Sequence, residues 1–353
     1  MQYFSSTAKL GILGGGQLGK MLLYTTRKWD ITTHVLDPSQ SAPAKLACDH
    51  FTQGDFKDYQ TVYDFSKNLD VITIEIEHVN TEALHQLEKE GVQVYPSAAT
   101  LELIQNKGVQ KDFYQHNNIP TSKHQRFENN AVLAQAIETG KLSFPFVWKA
   151  ARFGYDGNGV KIVRNLEGLE SLPNVECITE QLIPFKNELA VIVARNAAGE
   201  TKTYPVVEME FHPEANQVEY VICPARITTK VAENAREIAL KVVSDLDFVG
   251  LLAVEMFQTV DDKILVNEVA PRPHNSGHYS IEASYTNQFE QHLRSILNLP
   301  LGNTESKVAG IMVNLVGEEG FSGDVIYKNI EDILKIDGVT PHIYGKKETR
   351  PFR

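Results

Sequence analysis

The feature that most limits what this chain can fold into lies in its first third. Lys9-Leu10-Gly11-Ile12-Leu13 reads as an apolar strand that runs directly into Gly14-Gly15-Gly16-Gln17-Leu18-Gly19, and a helical stretch follows to about Trp29. A second strand, Thr33 to Leu36, ends at Asp37, and a third, Val71 to Ile76, brings Glu75 and Glu77 ahead of another helix. Strands that alternate with helices predict an α/β layer with a parallel sheet covered on both faces. Gly14, Gly16 and Gly19 also spell GxGxxG, with an acid 18 residues beyond Gly19, close to a dinucleotide-binding arrangement. The physical content is narrower: glycines let amides at a helix N-terminus approach an anion or a polar ligand, or simply let a strand pack against the following helix.

At 353 residues, and roughly 150 residues per domain, two or three domains are expected. Lys and Arg number 34 against 45 Asp and Glu, a formal charge of −11. That balance argues against a nucleic-acid or anionic-membrane surface but permits a local basic pocket for a phosphate. Cys48, Cys177 and Cys223 form no CxxC pair, so neither a disulfide framework nor a zinc knuckle is offered, and a reducing cytoplasm is expected. No basic-then-apolar leader precedes the first strand and no apolar run approaches the ~20 residues of a membrane helix, so a soluble, unexported protein is expected.

In the middle of the chain, helical segments carrying Leu101, Ile104 and Lys107, then Lys111 to His116, precede a strand at Pro145 to Lys149. Gly154-Tyr155-Asp156-Gly157-Asn158-Gly159 follows, and a second strand opens at Val160. No GK[ST] occurs, which removes the strand-loop-helix phosphate loop. Three glycines in six residues exceed what a hairpin turn needs and predict a β-loop-β flap whose amides fold over phosphates while Lys149 supplies charge. Further on, Glu180 and Glu188 bracket a short proline-containing connection between two strands. Such a connection can offer backbone groups to an adenine edge and a carboxylate to ribose hydroxyls; the alternative is two solvated strand ends.

The sharpest local signal is a pair of apolar runs, Gly250 to Val260 and Lys263 to Val269, around Asp261-Asp262. If those aspartates form a two-residue turn, Glu255 faces Glu268 across an antiparallel pair. Two carboxylates so placed repel unless a cation lies between them. Oxygen ligands without Cys or His predict Mg²⁺ or Mn²⁺, with Asn267 as a neutral neighbour and open positions for water and phosphates. Directly after comes Ala270-Pro271-Arg272-Pro273-His274-Asn275-Ser276-Gly277-His278. Arg272 suits a planar anion held by two hydrogen bonds, and His274, Asn275 and Ser276 are placed to orient a second substrate.

These segments, together with the terminal Arg350-Pro351-Phe352-Arg353, resemble N5-carboxyaminoimidazole ribonucleotide synthetase, an ATP-grasp carboxylase of de novo purine synthesis. The likeness is colinear from Lys9 to the end. It implies an α/β, ATP-grasp fold in three parts: an N-terminal parallel, Rossmann-like domain (1–100), a small lid (101–183) and a larger α+β domain with both glutamates (184–353). The implied reaction spends ATP and bicarbonate on carboxyphosphate, whose carboxyl group or released CO₂ is captured by the amine of 5-aminoimidazole ribonucleotide.

By matching motifs, Lys107 and Lys149 touch the nucleotide phosphates under a flap of Gly154, Tyr155, Asp156, Gly157, Asn158, Gly159 and Val160. Glu180, Gln181, Leu182 and Ile183 line the adenine, Glu188 takes the ribose, His212 lies near the nucleotide, and Glu255 and Glu268, with Asn267, hold Mg²⁺. The ribonucleotide meets Glu75, Tyr155, Asp156, Arg272, His274, Asn275 and Ser276, with its phosphate near Lys346, Lys347 and Arg353. Arg272, Glu268 and Lys149 are the expected catalytic residues. A homodimer is implied.

Two departures from the family pattern stand out. Lys107 occupies a position that is often arginine, keeping the charge but losing the fork. Relatives also continue beyond the equivalent of Arg353 with Lys-Met-Gly-His, which bears on how the phosphate site closes. Competing expectations are another ATP-grasp ligase or transformylase acting on an amine-bearing ribonucleotide, a nucleotide-binding regulatory protein without chemistry, and an NAD oxidoreductase. The last has no work for a second phosphate loop and a metal pair.

Overall fold

The computed structural model describes residues 7–152, 159–212 and 217–351. In the first third, β1 (Lys9–Leu13), β2 (Thr32–Asp37), β3 (His50–Gln53), β4 (Val71–Ile74) and β5 (Gln93–Val94) form a sheet in the order β3-β2-β1-β4-β5. Every pairing in it is parallel. Leu10 and Ile12 point to one face, under α1 (Gln17–Lys28), and Leu13, Ile72 and Ile74 belong to the cluster on the other. That second face is covered by α2 (Tyr59–Ser66), α3 (Thr81–Lys89) and α4 (Ala98–Ile104). Phe289, Leu293 and Ile296, from the far later helix Gln288–Ile296, complete the α1 side, so the C-terminal part of the chain is welded to the first sheet.

β4 ends at Ile74 rather than at Ile76, and Glu75 and Glu77 therefore sit just past the carboxyl edge of a parallel sheet, where ligands of such sheets gather. Helix α4 also stops at Ile104, short of Lys107, which the sequence reading places in the same helical stretch. Asn106 Oδ1 accepts from Gly108 N at 2.9 Å and Val109 N at 3.2 Å, an N-cap that starts a new helix, α5 (Lys107–His116). Lys107 thereby becomes its first residue.

A small antiparallel sheet follows: β6 (His124–Phe127), β7 (Phe146–Ala150), β8 (Val160–Val163) and β9 (Cys177–Gln181), in the order β6-β9-β7-β8. Phe146, Trp148, Cys177 and Leu133 fill its core. The flap residues Gly154, Tyr155, Asp156, Gly157 and Asn158 lie outside the described residues, as does Arg353.

The largest sheet is antiparallel. β10 (Phe185–Arg195), β11 (Thr201–Thr203), β12 (Val207–Phe211), β13 (Val218–Cys223), β14 (Gly250–Thr259), β15 (Ile264–Ala270) and β16 (Gly310–Val313) run in the order β15-β14-β10-β12-β13-β16, with β11 on β10. One face packs on helix Thr229–Asp245 through Val231, Ala235, Ala239 and Val242, and Ile104 and Tyr114 from α4 and α5 join that cluster. The outcome is a parallel sheet, a small antiparallel sheet and a large one, meeting where α4 hands over to α5.

Leu252 is fully buried at the centre of the large sheet's core. Leu252→Ala is expected to cost about 2–5 kcal/mol through lost transfer energy and an incompletely collapsed cavity. Urea unfolding checks this: the midpoint falls while the slope stays unchanged.

Candidate active site

The hairpin β14–β15 organises the site in a way that simple counting misses. Its loop is three residues long, Val260 to Asp262, with Thr259 N donating to Lys263 O at 2.9 Å and Asp262 at φ 63°, the left-handed position of a three-residue hairpin loop. From there Gln258 pairs with Ile264, Phe257 with Leu265 and Met256 with Val266. The register then shifts at Asn267, and Glu255 pairs with Glu268. The expected two-residue turn is therefore wrong, yet Glu255 faces Glu268 because the extra loop residue and the extra residue at Asn267 cancel. A β-bulge also re-aims side chains. Asn267 and Glu268, which alternation would send to opposite faces, both line the same cleft.

That cleft has a volume of about 960 Å³ and lies between the three sheets. Lys107 Nζ bonds Glu268 Oε2. Lys149, at 7 % exposure, donates from Nζ to Asn267 Oδ1 at 2.8 Å and sits 2.9 Å from Glu180 Oε1. Glu180 is no solvated strand end: it is buried, with Lys111 Nζ 3.1 Å away on its other side and the Ser122 hydroxyl donating to it. Burial opposes its charge, but the two lysines hold its carboxyl far below the usual range. Lys111 itself is brought down to about 8, because burial outweighs the pull of Glu180. It also reaches Thr121 Oγ1 at 2.7 Å and Val266 O at 3.4 Å, linking α5 and the connection into β6 to β15.

Three carboxylates share the opposite wall. Glu255 is pushed well above the carboxylate range by burial first and then by Glu268 and Glu188. Glu188 is raised to about 7 by burial. Glu268 goes the other way, held low chiefly by Lys107. Lys107 thus serves as the cation that this pair requires, and the donor set suits a divalent ion. Among the described residues no group of three or more His, Cys, Asp or Glu gathers as a metal nest, so two carboxylates and the Asn267 amide oxygen would leave coordination positions for water and phosphate oxygens, as Mg²⁺ prefers.

The glycine turn is occupied by protein. Glu75 Oε2 accepts from Gly19 N at 2.8 Å, and Asp37 Oδ2 accepts from Gly15 N at 2.8 Å. A Cβ on Gly16 would stand 2.6 Å from Glu75 Oε1. The glycines make room for a carboxylate at the N-terminus of α1, and the acid expected for a dinucleotide ribose is spent inside the turn, so the dinucleotide reading falls. Burial raises the Glu75 carboxyl despite those amides.

After β15, Arg272 Nε donates to Glu77 Oε2 at 2.7 Å. His274 Nε2 lies 3.2 Å from Glu255 Oε1, and its Nδ1 is 3.0 Å from Ser276 Oγ. Burial, then Arg272, lowers His274 to about 4, so its ring is neutral near pH 7.

Of the residues singled out from the sequence, Glu75, Lys107, Lys149, Val160, Glu180, Gln181, Leu182, Ile183, Glu188, Glu255, Asn267, Glu268, Arg272, His274, Asn275 and Lys346 line the cleft. Ser276, fully buried, backs His274 instead. Gly159, His212 and Lys347 lie outside the lining, His212 one residue beyond the cleft-lining Phe211. Sequence reasoning missed Lys111, Glu77 and Gln105. A basic residue one helical turn after Lys107, and an acid two after Glu75, were the available signals.

Three family models match successive parts of the chain. Residues 112–289 match the ATP-grasp domain, residues 7–105 the ribonucleotide synthetase preATP-grasp domain and residues 310–353 the phosphoribosylaminoimidazole carboxylase C-terminal domain. The fold is that of an ATP-grasp protein. N5-carboxyaminoimidazole ribonucleotide synthase of Bacillus subtilis is 35% identical over 98% of this chain and 89% of its own length. The chain spans only 62% of the chloroplastic phosphoribosylaminoimidazole carboxylase of Vigna aconitifolia, at 38% identity over 98% of itself. A crystal structure of N5-carboxyaminoimidazole synthase from Aspergillus clavatus in complex with ADP and 5-aminoimidazole ribonucleotide superposes with TM-score 0.89 at 35% identity, covering 99% of this chain and 92% of that one. The chain belongs to the N5-carboxyaminoimidazole ribonucleotide synthase family.

The raised carboxyls set a pH dependence. Unfolded, Glu255 and Glu188 ionise near 4.5; folded, both keep their protons to higher pH, Glu188 to about 7. The folded state then binds more protons, so their contribution is full below 4.5 and is lost as pH rises through the folded values. Metal-free protein is expected to melt at falling temperature from about pH 5 to 8 on this account, with a flatter profile in Glu255→Gln and in wild type with excess Mg²⁺. Calorimetric melts in chelator across that range check it.

Proposed function

We propose that the protein carboxylates 5-aminoimidazole ribonucleotide to N5-carboxyaminoimidazole ribonucleotide, using ATP and bicarbonate and releasing ADP and phosphate, in purine biosynthesis. The observation that carries this reading is one cleft in which a lysine-and-carboxylate phosphate site abuts the Arg272–His274 loop. The Gln181–Ile183 connection would hold adenine, Glu188 the ribose, and Lys107 and Lys149 the phosphates, with residues 101–183 as lid, 184–353 as the main domain and 1–100 as the ribonucleotide-bearing domain.

Glu255, Glu268 and Asn267 would hold Mg²⁺, which, when bound, neutralises the β- and γ-phosphates during transfer. A bicarbonate oxygen attacks the γ-phosphorus, the bond to the β-γ bridging oxygen breaks, and ADP leaves. The amine nitrogen then attacks the carboxyl carbon of carboxyphosphate, or the CO₂ it releases; phosphate departs and the amine loses a proton. Arg272 offers a fork that matches a planar carboxylate, and Glu75, His274, Asn275 and Lys346 surround the ribonucleotide. Free Cys48, Cys177 and Cys223 support a cytoplasmic location, no helix among the described residues is long and apolar enough to cross a membrane, and the family resemblance supports a homodimer acting on small molecules.

ADP release that requires both bicarbonate and 5-aminoimidazole ribonucleotide tests the reading; equal turnover with a different amine-bearing ribonucleotide would replace it with another ATP-grasp ligase or transformylase. Glu268→Gln is expected to abolish turnover without loss of fold. Arg272→Lys should keep binding of an ATP analogue by calorimetry while product formation falls on the order of 10²–10³, the usual loss for one preorganised contact. Because Lys346 lines the cleft and Lys347 does not, Lys346→Ala should raise KM for the ribonucleotide while Lys347→Ala leaves it unchanged, as steady-state kinetics would show.

A further inference from the structure

The ion pair between Glu77 and Arg272 joins residues 195 positions apart, from the carboxyl edge of the first sheet to the loop after β15. Each side chain is 19% exposed. The Glu77 carboxyl is held down to about 2 because Arg272 outweighs its burial, so the pair is ionic at neutral pH. Glu77 is fixed from behind as well: Gln105 Nε2 donates to Glu77 O and Val79 O, both at 2.9 Å. Two residues beyond Gln105, Lys107 N donates to Ala151 O at 2.8 Å and the Lys107 ammonium meets Glu268. Arg272 is four residues after Glu268. The contacts therefore close a ring, Glu268 to Lys107, along the chain to Gln105, to Glu77, to Arg272 and back along β15, touching all three parts of the cleft.

Within that ring Arg272 is not free to choose its orientation. Nε is spent on Glu77, and Nη1 donates to Pro273 O at 3.2 Å. An anion in the cleft therefore meets a guanidinium whose plane these two contacts fix. A guanidinium that must receive a short-lived carboxylate gains most from being fixed beforehand, since about 1 Å of misplacement costs roughly 10²-fold.

We propose that Glu77 is a positioning residue for carboxyl transfer: it sets the Arg272 fork against the ribonucleotide amine, so that ADP formation and carboxylation stay coupled. The proposal rests on the reading above that Arg272 meets the reacting carboxylate. A pair that merely holds the sheets together would, when broken, lower stability and all rates alike. A positioning pair would separate the two half-reactions, because on that reading ATP and its metal would be held by Lys107, Lys149, Glu255 and Glu268, none of which is hydrogen-bonded or ion-paired to Glu77 among the described residues.

The experiment compares wild type with Glu77→Gln, Glu77→Asp and Arg272→Lys, counting ADP and carboxylated product separately at saturating ATP and bicarbonate. Expected for Glu77→Gln is an ADP-to-product ratio raised ~10-fold or more, with KM for ATP unchanged, and partial recovery of the ratio in Glu77→Asp, which keeps the charge. An unchanged ratio in Glu77→Gln, with ADP and product falling together, would overturn the proposal; if that variant does not fold, an unchanged ratio in Glu77→Asp, whose shorter arm holds Nε only loosely and should still raise the ratio in part, does the same. Near-parent product formation by Arg272→Lys would instead overturn the reading of Arg272, whatever Glu77 does.

Discussion

Two carboxylates facing each other inside an apolar sheet are the interaction on which the rest of this molecule depends. Glu255 and Glu268 cannot both be ionised at that spacing without a cation between or beside them, and the chain supplies one from a distance. Asn106 starts α5 so that Lys107 is its first residue, and Lys107 neutralises Glu268. A second acid, Glu180, comes within reach because β9 pairs with β7, and it is matched by Lys111 from α5 and Lys149 from β7. Lys149 also bonds Asn267, so the two charge clusters share a member. Removing one partner from such a partly buried set leaves an uncompensated charge, which costs more than the set contributes to stability. The arrangement is better understood as a constraint on geometry than as a source of stability.

The same constraint explains why the bulge at Asn267 matters. Strict alternation along β15 would place Asn267 and Glu268 on opposite faces, and only one of them could meet a ligand. With the bulge, both reach the cleft, and the strand beyond it returns to a register that puts Val269 and Ala270 back in pairing with Val254 and Ala253. Arg272 then leaves the sheet at its edge, within reach of Glu77.

The parallel first sheet, the glycine turn and the antiparallel glutamate pair were legible in the residues because periodicity and turn chemistry act locally. The Glu255–Glu268 pairing was legible for an incomplete reason: the loop is one residue longer than its two aspartates suggest, and only the bulge restores the count. What could not be read was long-range. Nothing near Glu75 announces that its carboxylate will lie on the amides of the turn at Gly16 and Gly19, since that contact depends on β4 lying beside β1. Lys111 looks like any lysine on an amphipathic helix until Glu180 arrives from 69 residues away. Glu77 looks like a solvated strand residue until the strand proves to end at Ile74 and Arg272 comes to meet it.

Four long-range contacts share a direction: each ties the edge of the first sheet, helix α5, the connection after it or the small sheet to β15 or to the loop that follows it. Lys107 reaches Glu268, Thr121 Oγ1 donates to Val266 O at 2.7 Å, Lys149 reaches Asn267 and Glu77 holds Arg272. One strand and its exit loop therefore collect a partner from each neighbouring part, and a displacement of either sheet must be felt along the seven residues from Val266 to Arg272. The proposed reaction, with a labile acyl phosphate formed at one end of that span and its carboxyl group captured at the other, would need this property, because the two ends must be right at the same moment. A strand held by ionic and hydrogen-bonded pairs on both sides keeps them so without requiring that the sheets themselves be rigidly fused.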